Sequence, residues 1–334
     1  MSINTEPQLL RPRRLRKSKW IRQISSENIL NVNDLVQPLF LIDDDSYDDN
    51  TNIEKMPGIK RFTESQIIEE ISEISKLGIK AVAIFPNVNQ KLKSKNAEEA
   101  LNPNNLVCKT VSTLRKEFPS IGIICDVALD PYTISGHDGV TNQNNQIDND
   151  KTIKILAQMA LNLSKAGCQI VAPSDMMDGR IKLIRQTLEK NNFNEVIILS
   201  YAAKFCSNLY GPFRNALGSE INLGSSSKSS YQLSYTNRLE AIKEAELDIN
   251  EGADIIMIKP SGYYLDIIRD IKNFSKLPLA AFQVSGEYSM IKLASDENLF
   301  DYKELVIESL NCIKRAGASI IFSYFAKEVA SWLK

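Results

Sequence analysis

A single histidine, His137, occurs among the 334 residues. That count removes most histidine-based zinc centres and Ser-His-Asp triads. Long apolar runs are also missing: no segment approaches the ~18 uncharged residues of a membrane-spanning helix. No apolar stretch follows the basic residues near the N-terminus, so a secretory signal is not expected. The cysteines, Cys108, Cys125, Cys168, Cys206 and Cys312, are odd in number and scattered through mostly apolar context. Such usage fits reduced core thiols of a cytoplasmic protein and not a disulfide framework. Neither sign of charge dominates, since 40 Lys and Arg face 41 Asp and Glu for a net charge of −1. That balance argues against a general polyanion binder. No Gly-x-Gly-x-x-Gly turn follows the first apolar segment, which weighs against a doubly wound dinucleotide-binding sheet.

What is present is an apolar strand with a lysine at its far end. In Gly252-Ala253-Asp254-Ile255-Ile256-Met257-Ile258-Lys259-Pro260, the apolar run reads as a strand buried on both faces. Pro260 cannot donate to a sheet ladder, so the strand ends near Lys259. An ammonium against such a wall is poorly solvated, which favours the neutral amine that Schiff-base chemistry requires. The bland alternative is a snorkelling or ion-paired lysine. A second apolar strand, Val196-Ile197-Ile198-Leu199-Ser200-Tyr201-Ala202-Ala203-Lys204, also runs into a lysine. Two such lysines facing one another would depress each other's pKa by like-charge repulsion.

The chain repeats one unit, a short apolar strand followed by a helical stretch. Strands are expected at 36–42, 81–86, 121–129, 169–174, 196–203, 254–260, 279–286 and 319–325. The clearest helices are expected at 64–77 (capped by Thr63), 106–118, 151–166, 180–190, 238–251, 265–274 and 302–315, several followed by glycine as a C′ cap. Eight such units point to an α/β fold of the TIM (β/α)8 barrel type. Chemistry then belongs at the carboxyl ends of the strands. There the sequence gathers Asp126 and Asp130, Ser174-Asp175, Lys204, Lys259, Gln283 and Ser285, and Tyr324. The Gly/Ser-rich stretch within residues 210–235 reads as an active-site lid, in which Arg214 and Lys228 suit a substrate carboxylate.

Residues 1–34 differ from the rest. Seven basic residues between Arg11 and Arg22 stand beside Leu15, Trp20 and Ile21. A mobile basic tail and a nucleic-acid arm are both open readings, but the apolar residues favour an arm that packs on a neighbouring subunit. The division expected is an oligomerisation arm over 1–34 and a catalytic barrel over 35–334.

Several strings occur together and in order: Ala172-Pro173-Ser174-Asp175-Met176-Met177-Asp178-Gly179, Ser200-Tyr201-Ala202-Ala203-Lys204-Phe205, Tyr210-Gly211-Pro212-Phe213-Arg214, Met257-Ile258-Lys259-Pro260 and Gln283-Val284-Ser285-Gly286-Glu287-Tyr288. On them the chain resembles the porphobilinogen synthases (5-aminolevulinate dehydratases) over nearly its whole length. The resemblance implies a barrel with an N-terminal arm, assembled as a homo-octamer. It also implies condensation of two 5-aminolevulinate molecules into porphobilinogen, with loss of two waters, in tetrapyrrole synthesis. By the same resemblance Lys204 and Lys259 form the two Schiff bases. Arg214 and Lys228 hold one substrate carboxylate, Ser285 and Tyr324 the other, and Asp126 lies near the substrate amino groups.

Zinc-dependent relatives carry three cysteines where this chain has Ala128, Asp130 and Asp138. The chain therefore resembles an aspartate-rich, magnesium-responsive subclass with no zinc requirement expected. Zinc favours thiolate and imidazole, whereas Asp130 and Asp138 suit the substrate ammonium or a weakly held hard cation. Glu244 matches a glutamate that holds an allosteric Mg²⁺ through water. The expected partners are the small-molecule substrate and further copies of the chain, with no nucleic acid and no membrane. A class I aldolase is the alternative within the same chemistry, but it needs one lysine and leaves the second unexplained. A silent barrel acting as a scaffold through its basic arm is the alternative outside enzymology.

Overall fold

The computed structural model describes residues 10–43, 51–218, 223 and 227–334. Most of the aspartate run near residue 45 and part of the expected lid lie outside the described residues. Eight parallel strands close on themselves: β1 (Leu35–Ile42), β3 (Ala81–Asn87), β4 (Gly122–Val127), β5 (Ile170–Pro173), β6 (Ile197–Lys204), β7 (Ile255–Lys259), β8 (Leu279–Gln283) and β9 (Ile320–Ser323), with β9 pairing back to β1. The two-residue β2 (Arg61–Phe62) pairs with the end of β1 and adds no stave to the barrel. Every residue of β1, β7 and β8 is buried, as strands of a parallel sheet covered on both faces must be. The expected (β/α)8 barrel is therefore the fold.

Local chemistry accounts for the element ends. The helix Glu64–Lys76 starts at Thr63, whose N–H donates to the Gln66 side chain at 3.1 Å, satisfying one donor that the first turn leaves free. The helices Asn149–Lys165 and Arg238–Glu251 are followed by Gly167 and Gly252 with φ of 105° and 103°, the left-handed region where a Cβ is costly. One strand expectation is corrected. The run expected over 279–286 stops at Gln283, because Ser285–Asp296 is a helix and the Glu287 carboxylate accepts the N–H of Val284 at its start. That helix opens on Ser-Gly, weak helix formers, and its propensity concealed it. Short helices at Lys19–Ile24, Gly211–Ala216 and Ala326–Trp332 are further additions.

The N-terminal segment is mostly exposed from residue 10 to Ile29, with Ser18, Ile21 and Asn28 half-buried, and the helix Lys19–Ile24 buries none of its residues. Leu30 is already in the core, so the packed body begins a few residues before the expected boundary at 35. Among the described residues, no helix is long and apolar enough to cross a membrane.

One buried ionic cluster ties two neighbouring barrel units together. Arg180, 2% exposed, pairs with Asp248 at 3.0 Å and approaches Asp175 at 3.5 Å. It also donates to Ser200 Oγ at 3.3 Å and to the carbonyl of Met177 at 3.2 Å. Removing one partner of such a cluster strands charge in a medium that cannot solvate it, at a cost of roughly 3–5 kcal/mol. Arg180→Met is accordingly expected to lower the melting temperature by roughly 5–15 °C. A scanning-calorimetry midpoint equal to that of the unmodified chain would show that the cluster does not hold the barrel together.

Candidate active site

Lys204 and Lys259 end adjacent strands and are paired residues across the β6–β7 ladder. That pairing depends on a local irregularity. Ser200 pairs with Ile256 but Ala203 pairs with Ile258, so β6 spends one extra residue there. A bulge of this kind re-aims the side chains beyond it, and here it brings the two lysines level. Both are buried, at 6% and 4% exposure.

Their surroundings differ. Lys204 Nζ pairs with Asp138 Oδ2 at 3.2 Å and donates to the carbonyl of Ser174. Lys259 Nζ forms no ion pair among the described residues. It sits instead over the rings of Phe282 at 4.4 Å, Phe213 at 4.7 Å, Tyr201 at 5.2 Å, Tyr210 at 5.5 Å and Phe85 at 6.0 Å. Burial, reinforced by the charge of Lys204, pushes the Lys259 amine down to about 7. Ring faces attract a cation but replace little of its hydration.

Asp126, Asp130, Ser174, Arg214, Lys228 and Gln232 line the cavity between the lysines, whose free volume is about 20 Å³. Burial, with repulsion from Asp130, raises the Asp126 carboxyl to about 7, and its Oδ1 has no hydrogen-bond partner. For Asp138, burial works in the same direction, but Lys204 and Lys228 outweigh it and hold the carboxyl well below the usual range. Lys228 Nζ bridges Asp138 Oδ1 at 2.6 Å and Asp130 Oδ2 at 3.2 Å. Burial disfavours its charge, yet the two aspartates raise its pKa overall. Larger clefts of about 340 and 490 Å³ lie elsewhere and present no buried lysine.

Of the residues expected at the site, Lys204, Lys259, Asp126, Asp130, Asp138, Arg214 and Lys228 converge here. Ser285 and Tyr324 do not line this cavity. Ser285 Oγ accepts the N–H of Phe213 at 3.0 Å. Tyr324 stacks on Phe40 at 5.9 Å and lies 5.9 Å from Phe282, with its hydroxyl buried and unpartnered. Both stand behind the aromatic wall of Lys259. Glu244 is elsewhere, half-buried on a cleft of about 320 Å³ with Glu240 and Asp178. Burial raises its carboxyl, and Asp248, Asp178 and Glu240 add to that rise against Arg180. No group of three or more His, Cys, Asp or Glu poised to hold a metal occurs among the described residues.

Sequence reasoning missed Phe85 and Phe282 beside Lys259, gave Tyr201, Tyr210 and Phe213 no role although they stand in the strings quoted above, and missed Gln232, whose Nε2 donates to Asp138 at 3.3 Å. The one legible signal for Gln232 was its position four residues after Lys228, one helical turn away.

A closed parallel barrel with two buried lysines side by side at the carboxyl ends of neighbouring strands is the frame of a barrel-class enzyme whose chemistry sits at that rim. A family model for delta-aminolevulinic acid dehydratase matches residues 9–332. The chain is 46% identical over 325 residues to a delta-aminolevulinic acid dehydratase of Bradyrhizobium diazoefficiens, covering 97% of this chain and 91% of that protein. It is also 46% identical to that of Methanothermus sociabilis, over 96% of this chain and 97% of the relative. A crystal structure of the Toxoplasma gondii delta-aminolevulinic acid dehydratase (porphobilinogen synthase), in complex with its reaction product porphobilinogen, superposes with a TM-score of 0.94 at 42% identity, covering 98% of this chain and 92% of that one. The chain belongs to the delta-aminolevulinic acid dehydratase family.

The lowered amine pKa has a direct consequence. An amine adds to a carbonyl only in its neutral form, so adduct formation at Lys259 is expected to decline about tenfold per pH unit below about 7 and to level off above about 8. Borohydride trapping of a keto acid at Lys259, followed by peptide mapping, is expected to trace that curve. Trapping that kept climbing tenfold per unit to about pH 9 would mean an ordinary lysine.

Proposed function

We propose that Lys259 and Lys204 each bind one 5-aminolevulinate as an imine in the hydro-lyase reaction of this family. The reaction condenses two 5-aminolevulinate molecules into porphobilinogen with loss of two waters. The observation that carries the assignment is the pairing of the two lysines at the ends of β6 and β7, one with a counter-ion and one without. The neutral Lys259 amine adds to a substrate ketone, and expulsion of hydroxide as water leaves an imine. Once protonated, this imine draws electrons from the neighbouring carbon and acidifies it. Lys204 forms the second imine in the same way, with loss of the second water. The enamine carbon on Lys259 attacks the imine carbon on Lys204 and forms the C–C bond, and loss of a proton from the attacking carbon expels the Lys204 amine. The free amine of that second substrate then attacks the Lys259 imine carbon, closes the ring and expels the Lys259 amine, and loss of a ring proton completes the pyrrole. Asp126, poised near neutrality and with an open oxygen, is assigned to the substrate amino groups and their protons.

Arg214 and Lys228 are assigned to one substrate carboxylate and Asp130 and Asp138 to a substrate ammonium; Ser285 and Tyr324, assigned to the other carboxylate, stand outside the cavity, so that contact requires the rings of Phe213 and Phe282 to move. In the structure Lys228 is engaged by Asp130 and Asp138, so carboxylate binding there requires an exchange of partners. The second lysine is what the aldolase alternative leaves without a task. Lys259→Met is expected to fold and to lose roughly a thousandfold or more of its porphobilinogen formation. Activity equal to the unmodified chain in a colorimetric porphobilinogen assay would defeat the mechanism.

The metal and assembly assignments belong to the same proposal. Glu244 is assigned to a Mg²⁺ held through water, on a cleft of about 320 Å³ that Asp178 and Glu240, one turn earlier on its own helix, also line. Mg²⁺ keeps several of its waters, and held there it would relieve the carboxylate repulsion as an allosteric ion outside the catalytic cavity. Zinc is not required, because Ala128, Asp130 and Asp138 offer no thiolate. Leu15, Trp20 and Ile24, between 55% and 73% exposed, are the apolar part of an arm that packs on another subunit of a homo-octamer. Five unpaired cysteines support a reducing, cytoplasmic compartment. Light scattering with and without Mg²⁺ tests these points together. The intact chain should be heaviest with Mg²⁺, Glu244→Ala should not respond to it, and a chain lacking residues 1–24 should be smaller in either buffer. A Glu244→Ala variant with the full response, or a truncated chain of unchanged assembly size, would remove the corresponding assignment. Activity lost to a zinc chelator and restored only by zinc would remove the third.

A further inference from the structure

Glu287 is a buried carboxylate, 6% exposed, that the reaction does not use and that no cation pairs with among the described residues. It lies in the first turn of the helix Ser285–Asp296. Its far side faces an apolar cleft of about 430 Å³ lined by Met290, Ile291 and Phe300. Its near side is aimed at the backbone that follows Lys259. Oε1 accepts the N–H of Gly262 at 2.5 Å and the hydroxyl of Ser261 at 3.4 Å. Oε2 accepts the N–H of Val284 at 2.7 Å and that of Ser261 at 3.4 Å. The approach is close enough that a Cβ added at Gly262 would come within 2.6 Å of Oε1.

The same helix turn holds the other wall of the lysine. Ser285 Oγ donates to the carbonyl of Leu209 at 3.2 Å and accepts the N–H of Phe213 at 3.0 Å. Tyr210 in turn donates its hydroxyl to the carbonyl of Lys259 at 3.0 Å, and the rings of Tyr210 and Phe213 both face its Nζ. One helix start therefore fixes the Lys259 main chain from behind and the aromatic residues over its amine from the side.

We propose that Glu287 is a positioning residue for Lys259, holding the Ser261–Gly262 backbone so that the amine stays aimed into the cavity. The proposal rests on the assignment of Lys259 as an imine-forming lysine. A lysine amine hangs on four rotatable bonds, and a displacement of about 1 Å of a reacting group can cost on the order of a hundredfold in rate. Fixing the main chain on both sides of the residue removes part of that freedom. Burial raises the Glu287 carboxyl to about 7, against the N–H donors that stabilise its charge. Three of the four groups facing the two oxygens are N–H donors that cannot accept, so protonation weakens the hold as pH falls through that value.

A role confined to capping the helix makes a different forecast, because glutamine at this position also caps. The test is borohydride trapping with 5-aminolevulinate at about pH 8, mapped separately at Lys259 and Lys204, in the intact chain, Glu287→Gln and Gly262→Ala. Trapping at Lys259 is expected to fall roughly tenfold in each variant while Lys204 stays within about twofold. The double variant is expected to be no slower than the slower single one, because both changes break one contact. Gly262→Ala attacks the contact from the other side and carries the test if Glu287→Gln does not fold. Unchanged trapping at Lys259, or an equal fall at both lysines, would overturn the positioning role while leaving the imine assignment standing. An intact chain that forms no adduct at Lys259 would instead overturn that assignment, and this proposal with it.

Discussion

Two lysines placed level on neighbouring strands set the constraint that the rest of the site answers. Both are buried, and two ammonium groups at the ends of paired strands repel. The fold resolves the conflict asymmetrically. Lys204 receives Asp138 and the carbonyl of Ser174, while Lys259 receives ring faces and no carboxylate. Burial then tips Lys259 towards the neutral amine. A barrel makes this arrangement possible because its strand ends converge on one rim. The extra residue in β6 between Ser200 and Ala203 makes it specific, since without it Lys204 would not stand opposite Lys259.

The carboxylates sort themselves by the same logic. Asp138 touches two lysines and stays ionised far into acid, whereas Asp126 has an oxygen without a partner and titrates near neutrality. Two aspartates twelve residues apart in sequence thus acquire opposite properties from the company they keep. Environments that push like groups apart are what allow one to serve as a fixed charge and the other to exchange protons.

How much of this the sequence disclosed follows from the range of each interaction. The barrel was legible because its strands are apolar runs and its helices carry periodic apolar faces, both local patterns. The lysines were legible because each closes such a run, as were Asp126 and Asp130 at the end of another; Asp138 came only from the family resemblance. The box around Lys259 was not. Phe85 and Phe282 come from other barrel units than Tyr201, Tyr210 and Phe213, and each alone reads as ordinary core. The ion cluster of Arg180, Asp175 and Asp248 escaped for the same reason, with Arg180 and Asp248 separated by 68 residues. The helix at Ser285–Asp296 was hidden by poor local propensity. Tertiary contacts that hold its first turn against Leu209 and Gly262 override that propensity, a balance no window of sequence reveals.

The free volume at the site adds a last constraint. About 20 Å³ is room for one water, far less than two five-carbon acids occupy. The space is taken by the Lys228 bridge to Asp130 and Asp138 and by the rings over Lys259. A ligand that enters must part Lys228 from its aspartates, and a buried pair left broken is expensive on both sides. On the proposed assignment, 5-aminolevulinate carries a carboxylate for Lys228 and an ammonium for Asp130 or Asp138, so it can replace both halves of the bridge. A ligand with only one of those charges would leave the other side stranded. On that assignment the internal salt bridge would favour molecules bearing both signs over those bearing one.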